Sequence, residues 1–193
     1  MSQVFVKNER IIPTSPEAVY TVLADYKDKR PLILTPNFLD YKVESGGQGA
    51  GTMVTYRLQV GNRERSYRIR VDEVIKGKEL VERDRHSSLV TTWTLAPLDD
   101  GRQTHVQVTT EWEGASGIGG FFERTFAPLG LHRIYDQMLD MLELVVMPAE
   151  KRNGAVVVRK PESALPRMLM MGATAAATAY GLYLISKRKR EHR

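Results

Sequence analysis

The sequence predicts an α+β domain: an antiparallel meander of about seven strands, then a long helix, then a separate hydrophobic helix at the C-terminus. Three observations carry this. Between Tyr41 and Glu113 apolar side chains recur at every second position, with breaks too short for parallel crossovers. From Ile118 to Val146 the apolar spacing switches to the helical period. Met168 to Ser186 is nineteen residues without a charge, followed at once by Lys187-Arg188-Lys189-Arg190.

Taken in order, Val4 to Ile12 reads as a strand. Thr14-Ser15-Pro16-Glu17 opens a helix that runs to about Tyr26. Ser15 is placed to cap its free amides, Pro16 suits the first helical position, and Glu17 favours the positive helix end. Lys27 to Asp40 contains Pro31 and Pro36 and holds at most a short helix between turns. Val54, Tyr56, Leu58 and Val60 then alternate with polar neighbours, as do Tyr67, Ile69 and Val71. Two further sets follow, Leu89 to Leu95 and Val106 to Trp112. Gly46-Gly47, Gly61-Asn62, Gly77 and Asp99-Asp100-Gly101 are hairpin turn chemistry. In the long helix Leu131, Ile134, Met138, Leu142 and Val145 form one stripe, and Pro128 and Gly130 are expected to kink or break its start. From Leu129 to Val146 it is about 27 Å long at 1.5 Å per residue, enough to cross a curved sheet.

The net charge of +5 divides unevenly. Residues 149–193 hold ten Lys/Arg against three Glu, a balance of +7, which leaves −2 for the rest. A slightly acidic domain argues against nucleic acid as a partner, and the basic tail suits an anionic lipid surface. The absence of cysteine excludes disulfides and thiolate chemistry. The N-terminus has no apolar run behind its charges, so no secretory signal is expected, and the main domain is placed in the cytoplasm.

The order of strand, capped helix, meander, glycine-rich turn and closing helix resembles the START-like, helix-grip superfamily (SRPBCC). That superfamily includes polyketide cyclases and dehydrases, lipid-transport domains and Bet v 1-type proteins. The matching residues are Ser15-Pro16-Glu17-Ala18-Val19-Tyr20 with Leu23 and Asp25, the Gly46 to Thr52 turn, and Gly114 to Arg133. The resemblance covers residues 3–147. It implies a seven-stranded antiparallel sheet wrapped around the C-terminal helix, with a cavity between them. By the same resemblance the inward aromatics Tyr56, Tyr67, Trp93 and Trp112, with Phe122, Phe126 and Leu129 on the last helix, are the candidate ligand-binding residues.

Other constellations are weaker. If Leu80 points inward, Glu82, Asp84 and His86 share its face, and a buried acid beside an imidazole would be an acid/base candidate. The preferred alternative is a strand that curls outward with its charges solvated. His86, His105, His132 and His192 show no metal-ligand spacing, and His132 is expected to be exposed. Neither glycine cluster fits G-x-G-x-x-G or a P-loop, and Gly114 to Gly120 reads as a hinge at the pocket mouth. No G-x-S-x-G elbow supports a hydrolase. No catalytic residue, metal or cofactor is assigned.

The expected organisation is a ligand-binding domain at 1–148, a basic linker at 149–167, a transmembrane helix at 168–186 and a basic tail at 187–193. A nineteen-residue helix spans roughly 28 Å, close to the hydrocarbon thickness of about 30 Å. Gly, Ala and Thr supply nine of the nineteen, so a helix lying on the surface or packed on a partner is the alternative. Basic residues on both sides leave the orientation open. The reading as a whole is binding of a hydrophobic small molecule or lipid near a membrane, without chemistry. A cyclase/dehydrase-like enzyme using the same cavity is the alternative, and an interaction module with a filled cavity is a third class.

Overall fold

The computed structural model describes residues 3–114 and 117–147, except the side chains of 117–126. The expected linker, transmembrane helix and basic tail lie outside the described residues. Among the described residues no helix is long and apolar enough to cross a membrane.

Seven strands form one antiparallel sheet: β1 (Gln3–Ile12), β2 (Phe38–Ser45), β3 (Met53–Val60), β4 (Arg63–Ile75), β5 (Glu79–Asp84), β6 (Val90–Leu98) and β7 (Gln103–Glu113). The spatial order is β1-β7-β6-β5-β4-β3-β2. Only β1 departs from the meander, pairing with β7 from Gln3 opposite Glu113 to Ile12 opposite Thr104. Two helices complete the fold, α1 (Pro16–Ala24) and α2 (Gly117–Val146). The expected break at Pro128 is absent, and the hinge expected at Gly114 to Gly120 is helical from Gly117 onward. Pro128 lies inside α2 and removes one backbone bond there, a loss that packing of the following turns offsets.

Period-two patterning produces the core directly. Along β1, Val4 and Val6 are buried while Phe5 is exposed, and β7 buries Val106, Val108 and Trp112. On α2, Leu131, Ile134, Tyr135, Met138, Leu139 and Leu142 form the buried stripe against the sheet. Beside it, Asn8 Nδ2 donates to Asp136 at 2.6 Å, and its oxygen lies 2.8 Å from His132 Nδ1. His132 is therefore half-buried, not exposed as its Arg133 neighbour suggests. Arg10 pairs with Asp140 on the same side.

The segment after α1 is anchored by the glycine turn. Ser15 Oγ caps α1 by accepting from Ala18 N at 3.4 Å. At the other end Gly49 N donates to Ala24 O at 2.8 Å, and Tyr26 N donates to Gly47 O at 2.9 Å. Gly46 has φ of +72°, and a Cβ there would lie 2.9 Å from the Thr52 backbone, so only glycine fits. The Asp25 carboxylate accepts from Asp28 N at 2.9 Å and its carbonyl from Arg30 N at 2.7 Å. This tight turn delivers Tyr26 and the 3-10 helix Arg30–Ile33 to one end of the sheet.

Candidate functional site: an aromatic cavity with a buried ion pair

A cavity of about 670 Å³ lies between the sheet and α2, within the usual range for a small-molecule site. β3 contributes Val54, Tyr56, Leu58 and Val60, the inward half of its alternation. Tyr67, Trp93 and Trp112 line it from β4, β6 and β7, and Ala127, Gly130, Leu131, Tyr135 and Met138 from α2. Leu34, Phe38 and Tyr41 also line it.

The tyrosines form a continuous aromatic wall. Tyr56 and Tyr67 are register partners, which sets their rings 5.6 Å apart. Tyr41 stacks on Tyr56 at 6.4 Å with planes 20° apart, and Phe38 meets Tyr56 edge-on at 5.1 Å. Trp93 and Tyr135 are perpendicular at 6.2 Å across the sheet–helix boundary.

The same cavity holds a polar cluster. Glu82 Oε1 accepts from Arg30 Nη2 and from the Tyr26 hydroxyl, each at 2.7 Å. The second Arg30 arm donates to Leu23 O at 3.3 Å. The guanidinium lies 4.5 Å from the Trp93 ring centre and 5.3 Å from that of Tyr26. Tyr41 donates to Tyr26 O at 2.7 Å. One row along, the register partners Thr91 and Thr110 share a hydrogen bond of 2.8 Å, and Thr110 meets the Tyr135 hydroxyl at 2.5 Å.

Arg30 and Glu82 are 3% and 8% exposed. Removing such charges from water costs several kcal/mol per ion, so neither is tolerable without the other. Burial is the largest single influence on Arg30 and discourages its charge, but the Glu82 carboxylate together with the Tyr26, Tyr41 and Tyr56 phenols outweighs it and holds the guanidinium above the ordinary arginine value. Burial pushes the Tyr26 and Tyr56 phenols well above the usual tyrosine value, and the nearby Glu82 charge adds to the effect. Both phenols are therefore neutral donors at any physiological pH.

Four of the seven candidate residues, Tyr56, Tyr67, Trp93 and Trp112, lie on the cavity. Leu129 does not. It is 66% exposed, because it precedes the buried Leu131 by two positions, roughly 200° around a helix of 3.6 residues per turn. Phe122 and Phe126 lie on α2 with side chains outside the described residues. The outward curl expected for the charged strand is also corrected. Leu80, Glu82 and Asp84 share the buried face, and only His86, beyond the strand, is exposed. Asp84 is satisfied locally by Arg68 N and Ser87 Oγ. What sequence reasoning missed is Arg30, the counter-charge that makes burial of Glu82 possible, along with Tyr26, Tyr41 and Tyr135.

This architecture matches the family model described as polyketide cyclase / dehydrase and lipid transport, over residues 3–146. The chain belongs to that family. The KanY protein solution structure is 44% identical and covers 76% of this chain and 99% of its own, with a TM-score of 0.66. The Zhui aromatase/cyclase from Streptomyces sp. is 16% identical with a TM-score of 0.63, covering 80% of this chain and 98% of its own. A START superfamily protein from Mycobacterium smegmatis is 12% identical with a TM-score of 0.57, covering 74% and 96%. At these identities the last two establish the fold alone. A search of curated proteins finds no match to this chain. The polyketide cyclase and lipid transport family member described here thus has the START-like fold expected from its sequence.

Proposed function

We propose that the cavity binds a hydrophobic small molecule or lipid, and that residues 168–186 hold the domain at a membrane on the cytoplasmic side. The observation that carries the first part is the aromatic wall around Tyr56, in a cavity large enough for a ligand of several rings. The family's description, which includes lipid transport, supports it. The second part rests on the uncharged run of 168–186 and the four basic residues after it. Residues 1–148 form the binding domain, and 149–167 connect it to that segment. Native mass spectrometry of the purified protein, with extraction of whatever co-purifies, tests the reading. A bound apolar compound is the expected result, and a protein that neither retains nor takes up any such compound contradicts it.

A second reading has its own support. Glu82, Tyr26 and Arg30 converge on the cavity with an acid, a phenol and a cation within hydrogen-bond reach. In a cyclase/dehydrase-like enzyme this group would steer proton transfer on a bound reactive chain. Turnover that is lost in Glu82→Gln while ligand affinity persists would favour this reading over simple binding.

A further inference from the structure

Arg68 and Arg70 on β4 alternate with Tyr67, Ile69 and Val71, and Arg83 and Arg85 alternate with Glu82 and Asp84. Ile69, Val71, Glu82 and Asp84 are buried and Tyr67 lines the cavity, so the four exposed arginines stand on the other face of the sheet. The register sets them in pairs. Arg70 lies directly opposite Arg83, and Arg85 N donates to Arg68 O at 2.9 Å. The result is a square of four cations, with Cα atoms about 5 Å apart across the strands and about 7 Å apart along them. Lys42 extends it on β2, because Lys42 is opposite Thr55 and Thr55 is opposite Arg68.

Like charges directly opposite each other destabilise a sheet, and the carboxylates at hand offset only part of that cost. Glu44 meets Arg68 at 2.8 Å, while Asp72 is shared, 3.4 Å from Arg70 and 3.6 Å from Arg83. Among the described residues Arg85 and Lys42 have no ion pair. The neighbouring Arg57 is matched by Asp40 and Glu64, so the excess belongs to the square and Lys42. It is local, since the chain outside residues 149–193 carries −2. Guanidinium forks match the oxygens of phosphate and carboxylate groups. Spread over a face open to solvent, they fit a surface that presents many such groups. The chain's own sequence favours lipid as that surface, through the uncharged run of 168–186 and the basic cluster at 187–190.

Resting on the reading that 168–186 hold the chain at a membrane, we propose that the outer face of β4 and β5 docks on that membrane. Arg68, Arg70, Arg83 and Arg85, with Lys42, bind the phosphate and carboxylate groups of anionic lipids. The two attachments differ in kind: apolar burial of 168–186 is insensitive to salt, whereas salt screens the arginine face.

The chain has no cysteine, so Ser66→Cys supplies a single reporter thiol, exposed on β4 two residues before Arg68 and on the same face. The full chain is bound to phosphatidylcholine vesicles with or without phosphatidylserine. Its reaction with an uncharged poly(ethylene glycol) maleimide, too bulky to enter a docked face, is then timed. Labelling on vesicles with phosphatidylserine is expected to be about tenfold slower than on neutral vesicles or in free solution. High salt should restore the fast rate, and so should Arg68→Gln, Arg70→Gln, Arg83→Gln and Arg85→Gln combined. Equal rates on the two kinds of vesicle, or protection that survives the four replacements, overturns this inference and leaves attachment through 168–186 intact. A chain that binds neither vesicle overturns the membrane reading as well.

Discussion

Arg30 and Glu82 reach each other from separate walls of the cavity, one from a 3-10 helix and the other from β5, and meet at 2.7 Å with almost no solvent contact. Removing either partner strands a buried charge. Glu82→Ala is expected to destabilise the domain by about 3–5 kcal/mol. The double replacement Arg30→Met with Glu82→Leu should recover most of that loss, because a well-packed apolar pair carries no desolvation penalty. Urea unfolding of the two variants checks this. A single variant no less stable than the double would show that the pair is solvated after all.

Tyrosine titration gives a second test. Tyr26 and Tyr56 have phenols raised well above the ordinary value by burial, and Tyr20 is pushed up to about 12 by burial and by the Glu73 carboxylate. A folded-state value above the unfolded one contributes stability that is complete below the unfolded value. That stability is lost as pH rises through the folded value. The domain should therefore weaken from about pH 10 upward, with these tyrosines ionising only as the fold opens. Tyrosinate absorbance followed alongside circular dichroism measures both events. Full ionisation near the ordinary value in a protein that stays folded would contradict the burial described.

Gly130 sits on α2 where a Cβ would overlap Val60 Cγ1, at the point where α2 meets the end of β3. Alanine ordinarily favours a helix over glycine by about 1 kcal/mol, yet here overpacking should reverse the sign. Gly130→Ala is expected to lower stability by about 1–3 kcal/mol, and adding Val60→Ala should restore it. Thermal melts of the two proteins decide. A Gly130→Ala protein more stable than the parent would mean that the helix does not approach β3 so closely.

The difference between what the sequence discloses and what it hides follows from periodicity. β3 is legible because one alternating row, Val54 to Val60, is also one wall of the cavity. The inward position of Glu82 is legible too, since it follows Leu80 by two residues on a strand. Its burial is not legible, because the compensating charge comes from Asp28-Lys29-Arg30-Pro31, a segment without period that resembles a solvated loop. Nothing local marks Arg30 as buried, because its place depends on the glycine turn holding Tyr26 some twenty residues away in the chain. Leu129 fails for the opposite reason. Its apolar character is plain, but the phase of α2 is set by the stripe from Leu131 to Leu142, and Leu129 falls outside it.

The C-terminal segment is tested by fractionation. Residues 168–186 should carry the full chain to the membrane fraction, and truncation after residue 148 should release a soluble, cooperatively folding domain. The basic cluster at 187–190 adds about 1 kcal/mol per residue at an anionic surface, a contribution that salt screens. Retention after a high-salt or carbonate wash indicates a spanning helix, and release indicates a peripheral one. A full chain that is wholly soluble at low salt contradicts membrane attachment.

The two tryptophans of this chain, Trp93 and Trp112, both line the cavity, so all intrinsic tryptophan emission originates there. Titrating the protein with a flat, uncharged apolar ligand while following that emission is the most direct test of the central claim. Binding inside the cavity predicts a saturable change with one-site stoichiometry, weakened when Tyr56→Ala removes the centre of the aromatic wall. Emission that stays constant across a range of such ligands, or changes only in linear proportion to ligand added, would contradict it.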